Sequence, residues 1–330
     1  LIRSQEFNFM SDPTITISHA ASNTSATIAP QFGFNCYRWQ APIGGSPRDL
    51  LWYDPDFLVG KAKPTRSGIP LLFPFAGRIR GSQLSFDGKT YDIVDTLDDL
   101  GNPIHGFVLN RPWRIVEQTE DKLVGEFQPS VDAPNVLAKW PADYRLRVTY
   151  HVGPSSLSCK IEVHNPDDKL LPFGFGSHPY FRLPLGDQGS LANCQLTVPA
   201  HFVWQLDDQL LPTHQLHRAE LAQAFERGET LGKSSLDNLL TGLQFEDRIC
   251  HAHVDDPQNG QRLSVRFGSE FANCVVFIPP HREAVCIEPY TTAPDAFRLQ
   301  TMGLNAHLRF LPPGGTWHGE IDMRLEKLPS

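Results

Sequence analysis

The sequence predicts an all-β protein, a large antiparallel β-sandwich with few short helices. Three observations carry this. The 28 prolines and 25 glycines are spread over all 330 residues, and interruption that frequent leaves no room for long helices. Apolar and polar residues alternate in many short runs, the period of two that half-buried strands need. Short turns join these runs, the pattern of sheets packed face to face.

In chain order the alternating runs are residues 113–116, 122–127, 144–150, 158–163, 262–267 and 274–278. The best helix candidate is 218–231, with Leu221, Ala224 and Phe225 on one face. No composition shift marks a linker, and there is no internal repeat or low-complexity tract. One domain over residues 10–330 is the expectation. Residues 1–9 precede Met10, the expected natural start, and read as an added or disordered leader.

A net charge of −8 without a basic patch argues against nucleic acid and anionic membrane as partners. No stretch has the length of a transmembrane helix, and the start lacks a signal-peptide core. Cys36, Cys159, Cys194, Cys250, Cys274 and Cys286 are scattered and form no C-x-x-C. That is the pattern of reduced thiols. The expectation is a cytoplasmic protein, monomer or homodimer, whose partner is a small molecule.

The richest stretch for chemistry is 173–181. Gly174 and Gly176 let a ligand or another backbone come close. Pro179 pushes His178 towards an extended conformation. Phe175, Tyr180 and Phe181 offer flat apolar faces of the kind sugar rings stack on. His178 there serves as a proton donor or acceptor near neutral pH, or as a core histidine at a strand end. Four further stretches stand out. Arg78 sits in an apolar loop and needs a partner, a ligand or an ion pair. His105 lies in a tight turn, exposed or functional. Asp237 and Asn238 interrupt an apolar run, as a turn also would. Glu288 ends an apolar strand, where a carboxylate must be paired or poised. His251 and His253 share one face of a strand but lack a nearby carboxylate at ligand spacing, so no functional metal is expected. Neither a phosphate-binding glycine loop nor a G-x-S-x-G elbow occurs.

Taken together and in order, these stretches resemble the aldose 1-epimerase (galactose mutarotase) family, from about Gly68 to the C-terminus. Arg78 matches the family's G-R-I element, and residues 86–91 look like its next hairpin. Asn102-x-x-His105-Gly106 matches N-x-x-H-G, and His178-Pro179-Tyr180-Phe181 matches H-x-Y-F. Asp237-Asn238 looks like the D-N pair. Glu288-Pro289, with Thr291 beyond it, resembles the segment that bears the base. Residues 311–317 are similar to the closing L-x-P-G-x-x-[YW] element.

The resemblance implies a β-supersandwich of the galactose mutarotase-like type. It implies interconversion of the α and β anomers of a free aldose such as galactose or glucose, with no cofactor. His178 would be the acid and Glu288 the base, facing each other from opposite sides of the sugar across roughly 5–9 Å. Solvent access would keep the histidine protonated and the glutamate ionised. Arg78, His105 and Asp237 would hold the sugar. Phe107 and Arg182 depart from the family pattern and bear on sugar preference, with Arg182 favoured as a rim salt bridge. The alternatives are a hexose-6-phosphate 1-epimerase, which needs a cationic cluster, and a carbohydrate-binding protein without turnover. A glycoside hydrolase would want paired carboxylates rather than a histidine and a glutamate.

Overall fold

The structure, a computed structural model, describes residues 14–217, 225 and 227–329. The expected leader, with Met10, lies outside the described residues, as does much of the expected helix 218–231. The end of that span, Glu229–Thr230, is a strand instead. The other described helices are short, as the proline spacing requires.

Two large antiparallel sheets form the body. One has nine strands in the order Glu229–Thr230, Gln195–Thr197, Ile249–Asp256, Gln261–Gly268, Thr316–Lys327, Ser156–His164, Arg145–Gly153, Lys122–Phe127 and Arg114–Gln118. The second orders Pro212–His217, Ala200–Leu206, Asp237–Leu243, Asn273–Phe277, Ala284–Tyr290, Gly176–Ser177 and Leu71–Leu72. Tyr180–Arg182 also pairs with Ala284–Tyr290. A four-stranded sheet runs in chain order from Ile15–His19 through Thr24–Ala29 and Asn35–Ile43 to Ser46–Asp49. The six alternating runs all fall on strands of the two large sheets, and the hairpin expected over 86–91 is Gln83–Phe86 against Lys89–Asp92.

Period-two patterning decides where the core lies. Along Ser156–His164 every second residue, from Leu157 to Val163, is buried. The largest hydrophobic cluster takes Val148, Ile161 and Val265 from the nine-stranded sheet. From the eight-stranded sheet it takes Leu240, Val276 and Ile287. The outer face of the nine-stranded sheet is tied by ion pairs such as Arg262 with Asp255 and Arg147 with Glu126. The opposite face of the eight-stranded sheet, away from Val276 and Ile287, carries the polar and aromatic residues described next.

Candidate active site

Strand register brings the two expected catalytic residues together. Gly176 pairs with Tyr290, and Tyr180 pairs with Cys286. The same antiparallel register, carried through the interruption at Pro179, sets His178 opposite Glu288. Alternation then puts His178 and Tyr180 on the same face as Cys286, Glu288 and Tyr290. Val275 stands opposite Glu288 and Phe277 opposite Cys286 on the next strand. Asp237 stands opposite Phe277 on the strand beyond it. Side chains from these strands line the floor of a cleft of about 280 Å³, close to the lower end of ordinary small-molecule sites.

The walls come from loops. Arg78, His105, Thr96, Asp98, Asp99, Lys63 and Arg66 line the cleft with the floor. The Arg78 and His105 turns are zipped to each other. The Ile79 N–H donates to Pro103 O at 3.0 Å, and the His105 N–H to Gly77 O at 3.0 Å. In return the Gly77 N–H donates to His105 Nδ1 at 3.2 Å. With Nδ1 accepting, neutral His105 carries its proton on Nε2. Burial and the neighbouring His178 and Arg78 hold His105 well below the usual imidazole range, so it is a neutral donor. Its backbone is left-handed, φ 65°, and Gly106 follows at φ 73°. Gly106 can have no side chain, because a Cβ there would lie 2.0 Å from the Phe73 carbonyl oxygen. Of the two open readings of Arg78, the ion pair is present. Its Nε donates to Asp98 Oδ2 at 2.7 Å while the side chain lines the cleft. Asp98 is itself fixed by the N–H groups of Leu100 and Asn102, at 2.9 and 2.8 Å.

His178 Nε2 and Glu288 Oε1 are 3.4 Å apart. The expected gap wide enough for a pyranose ring is therefore absent, since cross-strand neighbours stand side by side. The expected charge states change as well. His178 is 7% exposed and Glu288 1%. Burial, with the Arg78 charge adding to it, pulls His178 down to about 3, against a favourable backbone interaction. Burial also pushes Glu288 well above the carboxylate range, helped by Asp237 and opposed by Tyr290 and Arg78. The resting pair thus holds its proton on Glu288, with a neutral imidazole. The ion pair differs from this only in where one proton sits, so the two groups titrate as a unit. Tyr290 Oη donates to Glu288 Oε2 at 2.8 Å, and Oε1 makes no hydrogen bond among the described residues. Asp237 is also raised by burial.

Other expectations are revised. The space beside Gly174 and Gly176 is taken by the protein itself. A Cβ at Gly174 would meet Thr292 Oγ1 at 2.4 Å, and one at Gly176 would meet Ala76 and the Tyr290 ring. Phe175 and Phe181 are core residues, and of the three aromatics only Tyr180 lines the cleft. Its ring lies parallel to the His178 ring, with centroids 4.7 Å apart. Arg182 is not part of the cleft lining and has no carboxylate at ion-pair distance among the described residues, so it is not the expected rim salt bridge. Phe107 is fully buried in the core. Asp237–Asn238 begins a strand, not a turn. His251 and His253 lie on the strand Ile249–Asp256, apart from the cleft. Sequence reasoning missed Tyr290, which lines the cleft and donates to Glu288, and did not place Cys286 beside them on the same face. The i±2 rule applied to Glu288 would have placed both on its face.

The aldose 1-epimerase family profile matches residues 13–324. The chain is 24% identical over 266 residues to the uncharacterised protein YphB of Escherichia coli K12, covering 78% of this chain and 83% of that one. Among solved structures it is similar to a galactose mutarotase-like protein from Clostridium acetobutylicum. That likeness has a TM-score of 0.80 at 20% identity, over 92% of this chain and 93% of the other. It is also similar to a GalM/aldose epimerase homologue from C. elegans, with a TM-score of 0.77 at 20% identity, over 96% and 99%. The fold is the galactose mutarotase-like β-sandwich, and with nearly the whole length matched, the chain belongs to the aldose 1-epimerase family.

Proposed function

We propose that the protein interconverts the α and β anomers of a free aldose. The observation that carries this is the contact of His178 with Glu288 on the cleft floor, at 3.4 Å, beneath walls that present Arg78 and His105. Opening a hemiacetal requires a proton to leave the C1 hydroxyl and another to reach the ring oxygen. Both oxygens are bonded to the same carbon. An acid and a base side by side therefore suit them, with the sugar lying over the pair rather than between its members.

One shared proton is enough. When the pair is in its ionic form, Glu288 takes the hydroxyl proton and protonated His178 delivers one to the ring oxygen. The C1–O5 bond breaks, and the pair is left with its proton on Glu288 and a neutral imidazole. The aldehyde turns about C1–C2, and reclosure on the other face runs the transfers backwards and restores the ionic form. Tyr290 stabilises the ionised carboxylate each time it appears. Neutral His105 and Arg78, held by the Gly77 N–H and by Asp98 before the sugar arrives, donate to sugar oxygens, and Asp237 accepts from or donates to hydroxyls.

The cleft favours a neutral sugar. Lys63 and Arg66 stand at the lining, but Asp99 pairs with both. Arg182, which could have added a further cation for a phosphate, is not in the cleft lining. Polarimetry on freshly dissolved α-D-glucose, α-D-galactose and glucose 6-phosphate tests the reading. We expect acceleration of one or both free sugars above the buffer rate, lost in Glu288→Gln. Acceleration of the phosphate alone, or of none, sinks it.

A further inference from the structure

Cys286 has no part in the reaction described above. It lies two residues before Glu288 on one strand and projects from the same face. One ligand atom from each of His178, Cys286 and Glu288 lies within 4.8 Å of the other two. All three residues are buried, and Glu288 Oε1, which faces His178 Nε2, lacks a hydrogen-bond partner among the described residues. Nitrogen, sulfur and carboxylate oxygen are together the donor set that Zn²⁺ takes, with ligands about 2.0–2.3 Å from the ion. Tetrahedral ligands at such lengths stand roughly 3.3–3.8 Å apart, and His178 and Glu288 already have that spacing.

Charge balance fits as well. A divalent ion with one thiolate, one carboxylate and a neutral imidazole is neutral overall, which lowers the penalty of burial. Tyr290 already holds the far carboxylate oxygen, Glu288 Oε2, and so leaves Oε1 for a ligand bond. His178 and Glu288 both line the cleft, which gives an ion a route to the site.

We propose that His178, Cys286 and Glu288 form a binding site for a thiophilic divalent cation such as Zn²⁺, and that its occupation switches the enzyme off. As the ion binds, the Cys286 thiol and the Glu288 carboxyl each release their proton to solvent. The metal then engages the imidazole and the carboxylate that must exchange protons with the sugar. The inhibitory half rests on the acid–base reading above, whereas the binding half does not.

The test separates the two. Metal-free protein is titrated with Zn²⁺ against a chromophoric chelator, and with Co²⁺ while thiolate-to-cobalt charge-transfer absorption is followed. One Zn²⁺ per chain, a thiolate band, and mutarotation that falls with occupancy and returns with chelator are expected. Cys286→Ala should keep the basal rate, abolish the band and weaken Zn²⁺ binding at least about tenfold. Cys286→Ser provides a second thiol-free variant should the alanine fail to fold. Absence of the band overturns the site. So does zinc binding or inhibition unchanged in both variants, which would place the ion on surface histidines. A chain that shows the band yet never turns over sugar overturns the acid–base reading and the inhibition, and leaves the metal site standing.

Discussion

Tyr290→Phe isolates one hydrogen bond. The ring is almost fully buried and phenylalanine fills the same volume, so the change removes only the O–H that donates to Glu288 Oε2 at 2.8 Å. That bond favours the ionised carboxylate and opposes the upward push of burial on Glu288. A hydrogen bond to a charged group contributes about 1.5–3 kcal/mol. Without it the ionic form of the pair is harder to reach, and the rate should fall about 10–100-fold at 1.36 kcal/mol per factor of ten. The pH profile gives the sharper reading. In alkali the pair loses its one proton and has no acid left. The ionised carboxylate formed in that step is what Tyr290 stabilises, so its loss should move the alkaline limb up by about 1–2 units. In acid the second proton goes to His178 while Glu288 is already neutral, so the acid limb should stay in place. The assay is polarimetry of fresh α-D-glucose or α-D-galactose across pH, with the buffer-catalysed rate subtracted at each point. An alkaline limb that stays put or moves down, in a variant with parental thermal stability, would refute the shared-proton account.

Further outcomes follow from the same geometry. For the parent protein, kcat/KM should hold a broad plateau, its acid limb near the His178 value of about 3 and its alkaline limb well above the ordinary carboxylate range. A narrow bell confined between about 4.3 and 6.5, the values of the free groups, would show that burial does not govern the pair. Glu288→Gln should lower the rate at least about a hundredfold, and a rate within a few-fold of the parent removes Glu288 from the mechanism. Arg78→Met removes a charged donor from the wall and unpairs Asp98; kcat/KM should drop about 10–100-fold, mostly through KM, and an unchanged KM would reduce Arg78 to a structural role. Gly106→Ala forces a Cβ against the Phe73 carbonyl at positive φ, so the urea midpoint should fall by an amount worth more than about 1 kcal/mol, which equilibrium unfolding checks.

Much of this was legible in the residues because alternation is local. The runs around Val148, Ile161 and Val276 announce strands without knowledge of their neighbours. Pairing is not local, and it decides the site. Nothing in the sequence states that Tyr180 pairs with Cys286, so the side-by-side contact of His178 with Glu288 had to come from the fold. The charge states failed for the same reason. A histidine looks titratable near neutrality until burial beside Arg78 is known. Gly174 and Gly176 do signal close approach, but a missing Cβ does not say by what, and here it is Thr292, Ala76 and Tyr290. Arg78 announced its need for a partner, yet Asp98 lies in a polar stretch that nothing distinguished.

The division between floor and walls has a consequence for how such a protein can change. Glu288 sits on Ala284–Tyr290 and His178 in the short break between two strands that pair with it, where an insertion or deletion of one residue would turn a side chain to the opposite face and end the proposed proton transfer. The segments that carry Lys63, Arg66, Asp98 and Asp99 are loops and one short 3-10 turn outside that ladder, free to lengthen, shorten or trade charge without disturbing the register. Chemistry and preference are thus stored in parts of the chain that tolerate change very differently. If the proposed reaction holds, a lineage, or an engineer, could exchange the sugar by rewriting those loops and leave the His178–Glu288 pair in place.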